Sequence, residues 1–407
     1  MLNRFYITLS LAIRTSISLF VLMLLARTLG PRQFGLVATT FAYATIASLV
    51  TDFGFSIKTL RDIAANPADG SNLLGGSLCV KILLSSAVAL VGTVCVLLVP
   101  TDAATKLSCL MLGGGVIIAA IGDLALTSFR AIGQYKREMT ITLQTSAIYG
   151  ISVGSLCWVN SDLIWIGLAF LVSRTLYSIT AVRHALKLFP GSAITAQSLR
   201  EVPAAMNGAW AWAVDSGFSY INSQVDALIV AQLFGLTAAG IYLSGARLVQ
   251  SSLALLSVLA AVHVPALAAL GPQSRLSPLE RRAIVEFCSL GALLAIGFLV
   301  GGPLVTRFAL GSQYLPANAL WPGFAAFLFA KCAAAGLGYI LSAYGFVKLR
   351  VGGQLMTTTT LFVCLLAIPS LTVITLPWIM CASTTVTGIF YLVCVICKTK
   401  EMVRKWA

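Results

Sequence analysis

The chain has 407 residues, of which 58% are hydrophobic and only 10% are charged, and its formal net charge is +14. Because an average soluble domain carries about 25% charged residues, this composition excludes a soluble globular protein. It also argues against a nucleic-acid-binding protein, because the sequence contains no soluble stretch that could gather the positive charge into a basic surface.

Apolar stretches of roughly 20 residues or more follow one another along the whole chain. They cover residues 6–28, 34–55, 73–99, 107–131, 139–159, 163–188, 205–230, 238–269, 283–308, 316–344, 351–371 and 376–397. A helix of about 20 residues crosses the roughly 30 Å of membrane hydrocarbon. The sequence therefore predicts an all-α integral membrane protein with about twelve transmembrane helices.

The positive charges are distributed unevenly between the connections of these stretches. If the N-terminus is cytoplasmic and the helices alternate in direction, 18 of the 27 lysines and arginines lie in cytoplasmic segments. Only four, Arg27, Arg32, Lys106 and Arg307, lie on the opposite side. Since lysine and arginine are enriched in cytoplasmic loops, the pattern predicts that both termini are cytoplasmic, and it agrees with an even number of helices.

Two segments of the chain occur twice, in the same order. LLARTLGPRQFGLVATTF (24–41) aligns with IVAQLFGLTAAGIYLSGA (229–246) at a separation of 205 residues. RAIGQYK (130–136) aligns with SAYGFVK (342–348) at a separation of 212 residues. Such an internal repeat in a membrane protein is typical of a transporter whose binding site lies between the two halves.

A polar connection near the middle of the chain separates the two copies. The sequence therefore predicts an N-terminal six-helix lobe over 1–189, a cytoplasmic linker over 190–204 and a C-terminal six-helix lobe over 205–407. An even number of helices in each lobe makes the repeats parallel, so we expect the lobes to surround a central cavity along the membrane normal.

Polar side chains form one face of the stretch 205–230. Asp215, Ser219, Asn222 and Asp226 are spaced four, three and four residues apart, which places them on one side of a helix. Charges within membrane helices are expensive and usually face a partner or a watery cavity. The stripe thus has two interpretations, a cavity lining that binds a coupling cation or a structural partner for an arginine such as Arg14.

Other charged residues fall within predicted helices. Arg14, Arg247, Lys331 and Arg174 are candidate cations for an anionic substrate, and Asp123 is a third candidate ligand for a coupling ion. Each could instead form a structural pair, as Arg247 could with Asp215 or Asp226. For two more charged residues the structural interpretation is favoured, with Lys81 reaching toward the cytoplasmic side and Asp52 pairing with Lys58.

Signatures of enzymes and metal proteins are missing from the sequence. It contains no GxxxxGK[ST] phosphate loop, no HExxH zinc motif and no GxSxG nucleophile elbow. The CxxC spacing of Cys394 and Cys397 at the end of the last predicted helix is interpreted as incidental. We therefore predict a non-enzyme with no catalytic residues, no metal site and no cofactor, with H⁺ or Na⁺ as candidate coupling ions.

Three segments resemble the bacterial polysaccharide flippases, the O-antigen and exopolysaccharide family of the multidrug/oligosaccharidyl-lipid/polysaccharide exporter superfamily. They are LARTLGPRQFGLVATTFAYATIASLVTDFGF (25–55), QVDALIVAQLFGLTAAGIYLSGARL (224–248) and PLVTRFALGSQYLPANALW (303–321). The resemblance implies two six-helix lobes around a central cavity, with Arg247 at the position of a cavity arginine and Arg14 as a second. It also implies lipopolysaccharide or exopolysaccharide biosynthesis in the bacterial inner membrane.

Members of that family move undecaprenyl-diphosphate-linked oligosaccharides from the cytoplasmic to the periplasmic leaflet. The resemblance thus implies a lipid-linked oligosaccharide and membrane lipids as partners, with the polysaccharide polymerase and export machinery as candidates. The sequence leaves three alternatives open, namely a cation-coupled multidrug antiporter of the same superfamily, a membrane-embedded O-antigen polymerase or glycosyltransferase, and a structural scaffold.

Overall fold

The computed structural model describes residues 2–159, 162–191, 202–271, 276–368 and 371–397. The described residues form twelve α-helices and no β-strand. The helices are α1 (Leu2–Asp52), α2 (Phe55–Ala65), α3 (Gly70–Leu98), α4 (Ala103–Ala131), α5 (Tyr135–Val159), α6 (Leu163–Leu188), α7 (Val202–Ser252), α8 (Ala254–Leu270), α9 (Pro278–Val305), α10 (Trp321–Ala343), α11 (Val347–Ala367) and α12 (Leu376–Ile396).

The lengths and composition of these helices are those of a multi-pass membrane protein. Nine segments of the described residues are long and apolar enough to cross a membrane, and two of them have 41 and 49 residues. At about 1.5 Å per residue, each of these two is long enough for about two crossings. The described residues of the twelve predicted apolar stretches fall almost entirely on helices, which confirms the all-α membrane fold.

The long helices α1 and α7 are each interrupted at a glycine. Gly30 in α1 has φ 72° and ψ 172°, and Gly235 in α7 has φ 80° and ψ 175°. Only glycine adopts this backbone region readily, so both interruptions depend on the missing side chain. The sequence aligns these two glycines in its first repeat, and they share one non-helical conformation.

The chain divides into two compact units, Met1–Leu228 and Ile229–Ala407. This boundary lies inside α7, whereas the sequence predicts lobes that meet at the linker 190–204. The two divisions rest on different criteria. The predicted lobes follow the repeated order of helices, whereas the compact units follow the contacts between helices. The six-plus-six arrangement around a central cavity therefore stays a prediction, and each unit is described by itself below.

Each unit has its own apolar core. In the first unit, side chains from α2, α3, α4 and α6 meet, among them Phe55, Leu74, Phe129 and Tyr177. In the second unit, Leu267 of α8, Ala283 of α9, Ile340 of α10 and Tyr391 of α12 pack together. These cores are more completely buried than the remaining helix surfaces, where exposed leucine, isoleucine and valine side chains face outward as expected in lipid.

Candidate functional site

A salt bridge between α1 and α4 is the centre of the polar cluster in the first unit. The Nη1 of Arg14 donates a hydrogen bond to Oδ1 of Asp123 at 3.1 Å. Their side chains remain 38% and 43% exposed, respectively. A ligand can therefore reach both partners without unfolding the helices that carry them.

Two residues of α6 complete this cluster. The hydroxyl of Tyr177 donates to Oδ1 of Asp123 at 2.5 Å. One turn earlier, Arg174 also interacts electrostatically with Asp123. Its guanidinium carbon lies 4.3 Å from the ring centroid of Tyr149 in α5 and 5.0 Å from that of Phe170. Cation–π contacts of this kind contribute about 0.5–2 kcal/mol and fix the direction of the guanidinium.

The charges of the described members of this cluster do not cancel. Two guanidinium groups, Arg14 and Arg174, face one carboxylate, Asp123, so the cluster carries a net charge of +1. Arg130 and Glu138 lie nearby and neutralise one another through a salt bridge of 2.6 Å. The excess positive charge within a membrane protein is suited to an anionic ligand, since an unpaired cation is costly there.

Close packing between α4 and α6 positions Asp123 and Tyr177. A Cβ added at Gly122 would lie 2.8 Å from Cε1 of Tyr177 and 3.0 Å from Cα of Ser178. A Cβ at Gly115 would lie 2.7 Å from the ring of Phe170. Small residues let membrane helices approach this closely, so Asp123 and its Tyr177 partner form a rigid pair to which Arg14 is attached from α1.

A second ion pair in the same unit is buried, in contrast to the partly exposed Arg14–Asp123 pair. Lys81 of α3 contacts Asp52 at 2.5 Å, and the Lys81 side chain is only 1% exposed. Ser56 also donates to Asp52, while Lys58 pairs with Asp62 at 3.2 Å. The prediction that Asp52 pairs with Lys58 is therefore wrong, because the cation that contacts Asp52 is Lys81. The sealed Lys81–Asp52 pair is structural.

The predicted cations of the second unit lie on separate helices. Arg247 of α7 donates from Nη1 to Oε1 of Gln250 at 3.0 Å, one turn further along the helix. Lys331 lies halfway along α10, and it makes no salt bridge or hydrogen bond with any residue that the structure describes. Lys331 thus meets the first requirement for an anion-binding group, a cation whose charge the described residues leave unneutralised.

The predicted acidic stripe of α7 is described only in part. Asp226 is buried, with 6% of its surface exposed, whereas the side chain of Asp215 lies outside the described residues. Among the described side chains, the carboxylate that pairs with Arg14 is Asp123. The interpretation of Asp215 and Asp226 as coupling-ion ligands stays a prediction.

His263 belongs to a polar group at the start of α9. Its Nε2 lies 2.7 Å from Oε2 of Glu286, whose Oε1 accepts a hydrogen bond of 2.7 Å from Arg282. The His263 side chain is only 5% exposed, while Arg282 is 75% exposed. The group links α8 to α9. Both carboxylate oxygens of Glu286 already have a partner, so the group is not an open binding site.

Sequence reasoning missed the aromatic members of the Arg14–Asp123 cluster. Tyr149 and Tyr177 look like ordinary helix residues, and each comes from a helix other than that of Asp123. One signal was available, because Arg174 and Tyr177 are three residues apart and so share a helix face. The pairing of Arg14 with Asp123, 109 residues away, has no local signal.

These features define a class of protein before any comparison is made. The chain is an all-helical, multi-pass membrane protein with an internal repeat and an accessible cationic cluster within its helices. A match to a family model over residues 24–319 then identifies it further: the chain belongs to the family described as "Polysaccharide biosynthesis protein". No curated protein matches the chain.

Solved structures share the fold over nearly the whole chain. An inward-facing multidrug resistance MATE family transporter of the MOP superfamily superposes with a TM-score of 0.76 at 13% identity, covering 97% of this chain and 96% of the other. The lipid II flippase MurJ, in an inward closed conformation, gives 0.72 at 11% identity, with coverage of 98% and 87%. The eukaryotic MATE transporter AtDTX14 gives 0.66 at 16% identity, with coverage of 97% and 95%. The all-helical membrane fold expected from the sequence is thereby confirmed.

Proposed function

We propose that this protein is a flippase that moves undecaprenyl-diphosphate-linked oligosaccharides from the cytoplasmic to the periplasmic leaflet by alternating access. One observation carries the proposal: an accessible cluster with a net charge of +1 lies within the helices of a polysaccharide biosynthesis family member. The MurJ fold supports the same substrate class, because that relative is a lipid II flippase.

The chemistry of the cargo explains why such a protein needs cations. A diphosphate and several sugars cannot enter hydrocarbon bare, because their polar groups would lose their hydrogen bonds to water. Arginine binds phosphate oxygens through two parallel N–H donors. We assign this role to Arg14, Arg174 and Arg247, with Lys331 as a point charge, while the prenyl chain stays in the surrounding lipid.

The proposal includes a location and an energy source. In this proposal the protein lies in the bacterial inner membrane, as the family resemblance implies, and the lysine and arginine distribution supports cytoplasmic termini. Rocking of the two lobes is coupled to H⁺ or Na⁺ at Asp215 or Asp226, with Asp123 as the remaining candidate. An ion moving down the membrane potential releases about 2.3 kcal/mol per 100 mV. The polysaccharide polymerase and the export machinery receive the flipped unit.

A second candidate function is cation-coupled export of small molecules. It is favoured by the fold shared with multidrug resistance MATE transporters, which superpose with a TM-score of 0.76. An organic-cation carrier needs an acidic site, however, and the described cluster of the first unit carries excess positive charge. An O-antigen polymerase or glycosyltransferase is the third candidate, and the family and fold matches favour a carrier over it.

Removal of the cations tests the proposal. We expect Arg14→Gln combined with Arg247→Gln to abolish movement of a prenyl-diphosphate oligosaccharide in proteoliposomes, at normal protein level. Arg61→Gln combined with Arg282→Gln removes the same charge from exposed positions and is the matched control. Full activity in the first double variant would contradict a cationic diphosphate site.

A further inference from the structure

We infer that Asp123 is an internal counter-ion that competes with the diphosphate of the cargo for Arg14, and that the two anions exchange in every transport cycle. The inference rests on the proposed flippase function and adds a role for a residue outside the set of cations. It concerns only α1, α4, α5 and α6 of the first unit.

Toward the described residues, the Arg14–Asp123 pair leaves most of its hydrogen-bonding capacity unused. A guanidinium carries five N–H donors, and Arg14 uses one of them, from Nη1, toward the residues that the structure describes. Both described donors to Asp123, Arg14 and Tyr177, contact the same oxygen, Oδ1. A phosphate that met Arg14 with two parallel N–H donors would make the stronger, bidentate contact.

The two partners are attached to the protein in different ways. Asp123 keeps the hydrogen bond from Tyr177 when Arg14 leaves, and the close α4–α6 packing at Gly122 holds both residues in place. Arg14 comes from α1 and has no other ion pair among the described residues. Arg14 is therefore the partner that can leave for a phosphate, while Asp123 keeps its hydrogen bond from Tyr177.

Exposure separates this pair from a structural one. Arg14 and Asp123 are 38% and 43% exposed, whereas Lys81 in the Lys81–Asp52 pair is 1% exposed. If the Arg14–Asp123 pair served only to join helices, we would expect it to be as buried as the Lys81–Asp52 pair. The accessible pair instead leaves surface on both side chains that a ligand can contact.

The empty carrier supplies the physical reason for a counter-ion. After the cargo leaves, a bare guanidinium inside the membrane is costly. Asp123 restores the ion pair and so lowers the free energy of the empty state. The same contact raises the effective Kd for the cargo, because the carboxylate must be displaced before the phosphate binds.

The remaining charged groups around Asp123 do not substitute for this partner. Arg174 of α6 is held over the rings of Tyr149 and Phe170. Arg130 and Glu138 are paired with one another, and Lys81 of α3 is paired with Asp52. Arg14 is thus the cation that Asp123 neutralises, and Asp123 is the anion that a phosphate would replace.

The test measures binding and two modes of transport with purified full-length protein in proteoliposomes. The probe is a short-chain prenyl-diphosphate glucose, a diester whose phosphates do not titrate near neutral pH. We expect Asp123→Asn to lower the Kd for the probe about tenfold, since one charge-assisted contact no longer competes. In Asp123→Asn, exchange of probe between two leaflets that both contain it should persist, because the carrier crosses loaded in both directions. Net one-way movement should fall at least about tenfold, because the empty carrier must then return without its counter-ion.

Matched variants separate a counter-ion from a structural residue. Asp123→Glu keeps the charge and should retain net movement, and Asp52→Asn removes a carboxylate from the sealed pair and should leave the Kd unchanged. Thermal unfolding of each variant identifies any loss of folded protein. An unchanged or higher Kd in folded Asp123→Asn, or an equal fall of exchange and net movement, would overturn the inference. Wild-type protein that neither binds nor moves the probe would instead overturn the flippase function.

Discussion

Gly133 and Gly345, which are 212 residues apart, close two turns with the same hydrogen bonds. The amide of Gln134 donates to the carbonyl of Phe129 at 2.8 Å, and that of Phe346 donates to the carbonyl of Leu341 at 2.9 Å. The two glycines have φ 74° and 82°. This is the six-to-one contact that ends a helix at a left-handed residue, and it occurs at matching positions of both units.

The turn makes a testable prediction about stability. Gly133→Ala or Gly345→Ala forces a side chain into a left-handed conformation, and each should lower the free energy of unfolding by about 1 kcal/mol. Thermal unfolding in detergent measures the change. Gly92→Ala and Gly352→Ala are the controls in the same units, because a Cβ there meets nothing within 4 Å and φ is helical. Equal effects at all four positions would contradict this explanation of the repeat.

Helix positions could be predicted from the sequence because apolar length alone determines them. The described residues of the twelve stretches lie almost entirely on helices, and the aligned Gly30 and Gly235 share one backbone conformation. The pairing of side chains could not be predicted in the same way. Asp123 lies 109 residues from Arg14 and 54 from Tyr177, and such contacts arise only when distant helices pack.

The sealed Lys81–Asp52 pair should contribute strongly to the stability of the first unit. Lys81→Met leaves the Asp52 carboxylate without its cation, and we expect a loss of about 3 kcal/mol in the free energy of unfolding. Adding Asp52→Asn to Lys81→Met should restore much of it, because no unpaired charge remains. Equilibrium unfolding of the single and double variants measures both changes.

An exposed pair provides the comparison for that prediction. Arg61 and Asp62 lie 2.9 Å apart, and the Arg61 side chain is 62% exposed. Arg61→Met should therefore change the free energy of unfolding by less than about 1 kcal/mol. If Lys81→Met cost no more than Arg61→Met, the buried pair would not have the structural role assigned to it.

Close packing at Gly122 should link stability to the functional cluster. A Cβ there would meet Cε1 of Tyr177 at 2.8 Å, so Gly122→Ala must push α4 and α6 apart or displace the Tyr177 ring. We expect a loss of about 1–3 kcal/mol in stability and weaker binding of the prenyl-diphosphate probe. Gly113→Ala on the same helix is the control, since its nearest neighbour would be 4.0 Å away. Equal stability of Gly122→Ala and Gly113→Ala would show that α4 and α6 are not closely packed at Gly122.

Lys331 should show opposite effects on stability and transport. It makes no ion pair or hydrogen bond with the described residues, so Lys331→Met removes an uncompensated charge and should stabilise the protein by about 1 kcal/mol or more. Transport should fall, because a cation that binds the anionic cargo is lost, while Lys331→Arg should retain it. Reduced stability together with unchanged transport in Lys331→Met would identify Lys331 as a structural residue.

The distribution of lipid-linked oligosaccharide between the two leaflets tests the flippase function most directly. In cells that lack this protein, we predict that repeat units accumulate on the cytoplasmic leaflet, that surface polysaccharide disappears, and that restoring the wild-type gene releases the units. Restoring the Arg14→Gln, Arg247→Gln double variant at equal protein level should not release them. Repeat units that reach the periplasmic leaflet but stay unpolymerised, or unchanged glycan together with increased drug sensitivity, would contradict the account.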